Sequence, residues 1–270
     1  MPNPFASNLL AGRTALVTGG GTGLGKAIAY GLAQAGATVV IAARRLDVLE
    51  ATAAEIADAT GATVLADIVN IRDRDSIEAL AERHPTVDIL VNNAGGQFPQ
   101  KARDFSPKGW RTVIDLNLTG TWNMTQIFGT RMLDGAGGTI CQIIATVGRG
   151  LPGIAHSAAA RAGVLELTRS LAFEWGPSVR VNAVAPGAFK TEAWYQTYDE
   201  RVGANMDSVP LPYPGQPEDL ANAVVFLVSP ASAYITGEVI YVDGGHTLSG
   251  DFSALPPGGY PERDRPGGSD

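Results

Sequence analysis

Residues 14–25 read TALVTGGGTGLG, an apolar and β-branched run that ends in a turn holding five glycines. Gly19, Gly23 and Gly25 have the spacing G-x-x-x-G-x-G, and residues 24–35 beyond them carry apolar side chains at helical period. Glycines between a strand and a helix let the backbone approach a ligand closely, and the helix N-terminus favours an anion. This placement points to a dinucleotide whose pyrophosphate rests on Gly19, Thr22, Gly23, Leu24 and Gly25.

The same rhythm continues along the chain. Strand candidates are residues 14–18, 38–42, 63–66, 87–92, 139–144, 179–184 and 239–242. Helical patterns lie near 24–35, 46–59, 73–83, 107–133, 157–175 and 218–228. Strands such as VDILVN are continuously apolar, which suits burial on both faces. Their alternation with helices predicts an α/β fold: one doubly wound domain with a seven-stranded parallel sheet and helices on both faces, spanning residues 1–248. Residues 186–216, with Phe189, Trp194, Tyr195, Tyr198 and Tyr213, read as a substrate lid. The tail, residues 249–270, is rich in Pro and Gly. It reads equally as a frayed terminus and as a segment docked on the body or on a neighbouring subunit.

The 270 residues are 45% hydrophobic and 17% charged, enough apolar material for a core and too little charge for disorder. Twenty Lys and Arg against 27 Asp and Glu leave a net charge of −7, which argues against a nucleic-acid partner. The single cysteine, Cys141, excludes an internal disulfide, and no Cys/His spacing suits a metal. The start MPNPFASNLLAGR lacks the basic and apolar regions of a leader, and no window of about 18 residues is apolar throughout. The C-terminal GGSD is not a peroxisomal address. A cytoplasmic protein is expected.

After the second strand candidate the chain reads IAARRLD. An acid at this point accepts hydrogen bonds from the 2′-hydroxyl of NAD; here Arg44 and Arg45 take its place. A guanidinium grips a 2′-phosphate through paired, charge-assisted hydrogen bonds, so NADPH is the expected cofactor.

Further motifs follow in order: Asn92-Asn93-Ala94-Gly95 after the fourth strand, Asn117 within DLNLTG, Pro186-Gly187 after the sixth and Val242-Asp243-Gly244-Gly245 at the last. Together with the glycine turn, this series resembles the short-chain dehydrogenase/reductase family from about residue 10 to 248. The resemblance implies a Rossmann fold, a nicotinamide cofactor and a homotetramer. It places Asp67 and Ile68 beside the adenine and Asn93 and Gly95 beside the ribose, with Ala94 also in the cofactor site. It also sets Pro186 and Gly187 in the cofactor site and Thr191 beside the carboxamide.

The family's usual Tyr-x-x-x-Lys pair is missing. Aligning the flanking PG and AGV of PGIAHSAAARAGVLELTRS sets Ser157 at the place of the tyrosine and Arg161 at that of the lysine, with Ile144 or Ala145 at the usual serine. Only Asn117 is kept. Residues four apart share a helix face, so Ser157 and Arg161 can both point to the nicotinamide. Arg161 keeps a positive charge but does not give up its proton. An aliphatic hydroxyl is far less acidic than a phenol of pKa about 10. Losing a positioned general acid costs a carbonyl reductase about 10²–10⁴ in rate. Reducing a C=C bond conjugated to a thioester instead needs an oxyanion donor. The segments NNAGGQF (92–98), SPKGW (106–110) and HSAAARAGV (156–164) are similar to peroxisomal trans-2-enoyl-CoA reductases and, more loosely, to 2,4-dienoyl-CoA reductases. They imply an NADPH-dependent enoyl-thioester reductase of fatty acid metabolism, with Ser157, Arg161 and Asn117 catalytic and Arg161 also on the ribose.

His156 reads more readily as a structural residue than as a proton relay, because consecutive helix residues point about 100° apart. Two other functions stay open. One is a conventional carbonyl, 3-ketoacyl or alcohol oxidoreductase drawing its proton from Tyr195 or Tyr198. The other is an NADP-binding protein without catalysis. Whether the acyl carrier is CoA or acyl-carrier protein is undecided, since a CoA phosphate site requires a local basic cluster that the acidic total does not reveal.

Overall fold

The computed structural model describes residues 4–147, 151–189, 191–192 and 209–248. Its strands are β1 (Thr14–Thr18), β2 (Thr38–Ala43), β3 (Val64–Ile68), β4 (Ile89–Asn92), β5 (Gly138–Ile143), β6 (Val179–Pro186) and β7 (Val239–Val242). The α-helices among these residues are α1 (Gly23–Gln34), α2 (Leu46–Thr60), α3 (Arg74–Arg83), α4 (Pro107–Ile114), α5 (Gly120–Asp134), α6 (Ala155–Trp175) and α7 (Pro217–Val228). All seven strands pair in parallel, in the order β3-β2-β1-β4-β5-β6-β7. This is the doubly wound sheet that the alternating pattern predicts. Trp194, Tyr195 and Tyr198 of the expected lid, and the tail 249–270, lie outside the described residues.

Successive strand residues point to opposite faces, so one sheet feeds two cores. Val17, Val39, Ile41 and Val91 pack with Ile28 and Leu32 of α1, Ile56 of α2 and Val224 of α7. Leu16, Val40, Leu90 and Ile140 pack with Leu80 of α3, Phe128 of α5 and Leu171 of α6. The chain winds outward from β1 to β3 and then crosses back to β4, so the strand order reverses between β1 and β4. At such a reversal the loops leaving the two strands part in opposite directions and open a crevice at their C-terminal ends. The glycine turn leaves β1 there, and Asn93 leaves β4.

Residues 107–133, expected as one helix, are helical but not uniform. A π-turn at Asp115–Thr119 joins α4 to α5 and holds Asn117 fully buried. Such widened turns recur at functional sites. Behind it runs a polar ladder. The Thr121 hydroxyl donates to Asn117 O (3.0 Å), and the Thr125 hydroxyl donates to Thr121 O (2.7 Å). Thr125 Oγ1 accepts in turn from Asn92 Nδ2 (2.9 Å) and Gln142 Nε2 (3.0 Å). One donor and two lone pairs are thereby all used, and β4 and β5 are tied to the turn that carries Asn117.

At the other end of the sheet, Arg180 of β6 donates to the carbonyls of Ile235 (2.9 Å), Leu227 (3.0 Å) and Ser229 (3.3 Å). It places a cation at the carbonyl end of α7, where the helix dipole is negative. Arg180→Ala should lower stability by about 1–3 kcal/mol through the loss of three charge-assisted hydrogen bonds, the carbonyls keeping their bonds from Asn182 and Ser232. The expected readout is a lower urea midpoint with an unchanged slope of free energy against urea concentration.

Candidate active site

Gly19 and Gly23 adopt φ of +67° and +53°, which side chains rarely tolerate. A Cβ on Gly25 would lie 2.2 Å from Gly19 O, so the turn closes on α1 only because nothing larger stands there. Thr22, the N-cap of α1, makes no side-chain capping bond, and the first turn of the helix has no acid. The positive end of α1 is thus not neutralised from within its own first turn, and the cradle fits a pyrophosphate. Thr52 Oγ1 holds the turn by Gly21 O (2.9 Å). Asn93 staples it to β4: its side-chain amide donates to Thr18 O (3.0 Å) and Gly19 O (3.3 Å), while the Asn93 and Ala94 N–H groups donate to Thr18 Oγ1 (3.0 Å each).

The other expected cofactor positions surround this cradle. Leu24 is half-buried on the α1 core. Thr191 leans over the turn, its Cβ 3.7 Å from where a Cβ on Gly23 would be. Pro186 ends β6, and Gly187 N–H donates to Val242 O (2.9 Å). Arg44 and Arg45 are exposed at the C-terminal end of β2.

Asp67 is engaged in a way its sequence context does not reveal. Its carboxylate accepts from Arg83 Nε (2.8 Å), Arg83 Nη2 (2.9 Å), the Ile68 N–H (2.7 Å) and His84 Nε2 (2.8 Å). A carboxylate offers about four lone-pair sites, and all are used inside the protein. Burial pushes the Asp67 carboxyl up, but the bonds from Arg83, His84 and Ile68 outweigh it and hold the group below its ordinary 3.8. An adenine placed at this edge would meet the exposed side chain of Ile68 and no spare oxygen on Asp67.

The catalytic candidates converge around Gly95. A Cβ there would lie 2.1 Å from Arg161 Nη2 and 3.0 Å from Asn117 Oδ1, so both side chains close on its bare Cα. Asn117 clamps the next peptide, accepting from Gly96 N–H (2.9 Å) and donating to Gly96 O (3.0 Å). The same Nδ2 reaches Ser157 Oγ at 3.3 Å, and the Ser157 hydroxyl donates to Gln97 Oε1 (3.0 Å). Arg161 donates to Ile143 O (2.8 Å) and has no carboxylate partner among the described residues. Burial pushes its pKa down to about 10, which leaves it charged at neutral pH. His156 is fully buried between Phe98 and Phe105, with ring centroids 4.7 and 4.4 Å away. Its Nδ1 accepts the Ser157 N–H (2.7 Å), and its Nε2 meets no partner among the described residues. Burial lowers its pKa and favours the neutral ring.

The profile of the family described as Enoyl-(Acyl carrier protein) reductase matches residues 19–247. A protein assigned as 2,4-dienoyl-CoA reductase 3 in Caenorhabditis elegans is 41% identical over 251 residues, covering 87% of this chain and 81% of its own. The chain belongs to the short-chain dehydrogenase/reductase family. The peroxisomal 2,4-dienoyl-CoA reductase of Danio rerio is 37% identical, with 91% of this chain and 85% of the relative covered. The 3-oxoacyl-[acyl-carrier-protein] reductase of Chlamydia trachomatis is also 37% identical, covering 88% of this chain and 99% of its own. A solved structure from Beutenbergia cavernae with bound NADP, assigned as an NAD(P)-dependent gluconate 5-dehydrogenase, superposes with a TM-score of 0.84 at 40% identity, over 90% of this chain and all of the other.

As a member of this family the protein is an oxidoreductase acting on small molecules with a nicotinamide cofactor. When bound, that cofactor supplies or accepts a hydride. Among the described residues, no group of three or more His, Cys, Asp or Glu could hold a metal, and no helix is long and apolar enough to cross a membrane. Gln97, which sequence reasoning passed over as a site residue, joins Ser157 across a separation of 60 positions. Its signal was its place in NNAGGQF, two residues beyond Gly95.

Gly95→Ala should displace the Arg161 guanidinium and cut turnover about 10²-fold or more, with the far-UV spectrum retained. Asp67→Asn should destabilise the fold at neutral pH. A carboxyl with a depressed pKa contributes fully above its unfolded value and loses that contribution as pH falls through the folded one. The stability gap between parent and variant, measured by denaturant titration, is therefore expected to close as pH drops below 3.8.

Proposed function

We propose that this short-chain dehydrogenase/reductase is an NADPH-dependent enoyl-thioester reductase that saturates the trans-2 double bond of an acyl substrate in fatty acid metabolism. The observation that carries the reading is the buried Arg161 cation, without a described carboxylate, beside a hydroxyl held on both sides. A site with that charge and that donor favours negative charge on a substrate oxygen. Gly19, Thr22, Gly23 and Gly25 would hold a reduced nicotinamide dinucleotide by its pyrophosphate, and that group would supply the hydride needed at Cβ.

As electron density moves to the thioester oxygen, the Ser157 hydroxyl turns from Gln97 Oε1 and donates to that oxygen. Asn117 Nδ2 donates to Ser157 Oγ and so strengthens the hydroxyl as a donor. Arg161 lowers the energy of the enolate through space, in a site where little water screens it. Solvent water gives the proton to Cα in a separate step, leaving hydroxide that the buffer neutralises, so none of these three side chains has to be acidic.

Arg44 and Arg45 support NADPH over NADH, and the NADP carried by the Beutenbergia protein agrees with that choice. The dienoyl-CoA reductases of worm and fish support the C=C reaction. Family membership supports a homotetramer, and a single buried thiol, Cys141, suits the reducing cytoplasm. A second reading, reduction of a 3-oxoacyl thioester, is favoured by the chlamydial relative. It requires a proton donor at the carbonyl, a role for Tyr195 or Tyr198.

NADPH oxidation is to be followed with trans-2-enoyl-, 2,4-dienoyl- and 3-ketoacyl-CoA. The trans-2-enoyl thioester is expected to react fastest, and faster turnover of the ketoacyl substrate overturns the reading. Ser157→Ala should lower kcat about 10²–10³-fold, the cost of an oxyanion donor, with NADPH affinity little changed. Arg161→Ala should weaken both.

A further inference from the structure

We propose that His156 is a positioning residue: its neutral imidazole stands in for the missing cap of α6 and holds the backbone of Ser157, so that the hydroxyl stays in the site. The inference rests on the oxyanion-donor role given to Ser157 above. Helix α6 begins at Ala155, and its N-cap, Ile154, has no side-chain acceptor. The first N–H groups of a helix find no partner within it, and a cap side chain normally accepts from the second or third residue. Here the third residue is Ser157, and its N–H donates to His156 Nδ1 at 2.7 Å. A backbone N–H can only donate, so Nδ1 presents its lone pair and the ring hydrogen sits on Nε2.

Packing alone does not account for a histidine at this position. The side chain is fully buried, with the rings of Phe98 and Phe105 at 4.7 and 4.4 Å, and Nε2 meets no partner among the described residues. A buried polar atom without a partner costs free energy, and a phenylalanine would fill the same space without that cost. What a phenylalanine lacks is the lone pair at Nδ1. The imidazole also touches the segment that receives the serine side chain. Phe98 directly follows Gln97, whose Oε1 accepts from the Ser157 hydroxyl at 3.0 Å. One ring therefore holds the Ser157 backbone and leans on the loop that engages its hydroxyl.

Protonation ends this arrangement. A hydrogen on Nδ1 would meet the Ser157 N–H donor to donor and would place a charge between two apolar rings. Burial lowers the pKa of the ring, and the Ile154 carbonyl beside it opposes that less strongly. The same carbonyl already accepts from the Ala158 N–H at 3.0 Å, and it is the acceptor to which an Nδ1–H would turn. Phe98 and Phe105 carry no charge. The charged residues of the neighbouring segments are Lys101, Arg103, Asp104, Lys108 and Arg111, all exposed, with Asp115 of the π-turn and Arg161, which donates to Ile143 O. The pKa of the ring follows burial and the Ile154 carbonyl, not these charges. The hold on Ser157 is thus complete at neutral pH and is lost as pH falls through a value below 6.5.

The test compares His156→Asn, whose amide oxygen can replace Nδ1 as acceptor, with His156→Phe, which fills the space and accepts nothing. Rates are to be measured with saturating NADPH and the thioester that the parent reduces fastest. At neutral pH His156→Asn should keep kcat within about threefold of the parent, whereas His156→Phe should lose about tenfold or more, with NADPH affinity unchanged. The parent's kcat should fall on the acid side through one protonation below pH 6.5, and the Asn variant should stay level over that range. A packing role orders the variants the other way, with Phe above Asn, and that result overturns the proposal. So does an acid limb shared by the parent and the Asn variant. NMR of the parent labelled with nitrogen-15 histidine reads the same point with the ring intact, its signals assigned through His84→Gln and His246→Gln. His156 should be neutral with its hydrogen on Nε2, and a hydrogen on Nδ1 at neutral pH overturns the proposal. If the 3-ketoacyl thioester is the faster substrate, the enoyl reading fails, while the order of the variants and the tautomer still decide the role of His156.

Discussion

A full positive charge enclosed by protein, with no described carboxylate to balance it, is the constraint around which the site is built. Taking a guanidinium out of water costs several kcal/mol unless hydrogen bonds and later a ligand compensate. Arg161 receives part of that from Ile143 O. Gly95 contributes by having no side chain, so that the planar group can lie against the backbone. What is left over is an unspent attraction for negative charge. The hydroxyl of Ser157 stands on the same face of α6, one turn away.

Holding that hydroxyl in place is the task of elements far apart in the chain. Asn117 fixes the Gly96 peptide with two bonds and Ser157 with a third. It can do so because the π-turn sets it inward, and the turn is anchored to β4 and β5 through Thr121, Thr125, Asn92 and Gln142. In a low-dielectric interior such a ladder is rigid when every member is satisfied, and the Thr125 hydroxyl is. The sheet therefore positions the donor as well as burying the core.

The glycine turn fits an anion through its backbone. At the glycine turn, backbone N–H groups and an uncapped helix end do the work, and Asn93 serves as a staple. That frame is fixed by backbone and suits a constant cofactor phosphate.

Much of this architecture was legible in the chain itself. The strand at Thr14–Thr18 falls where a continuous apolar run meets turn residues, because burial on both faces leaves no alternation to misread, and the partly exposed edge strand Val239–Val242 also falls where its apolar run meets turn residues. The shared face of Ser157 and Arg161 follows from their spacing alone. Tertiary structure decided the rest. The break within residues 107–133 leaves no trace in composition, since DLNLT is compatible with an ordinary helix and only the bonds of Asn117 to Gly96 show why it widens. Asp67 kept its place beside Ile68 but spent its oxygens on Arg83 and His84, which lie 16 and 17 positions away. Gln97 reached Ser157 only because the loop after β4 folds back onto α6. Periodicity records which side of an element meets the core; which polar atoms meet each other depends on distances between elements that no local pattern encodes.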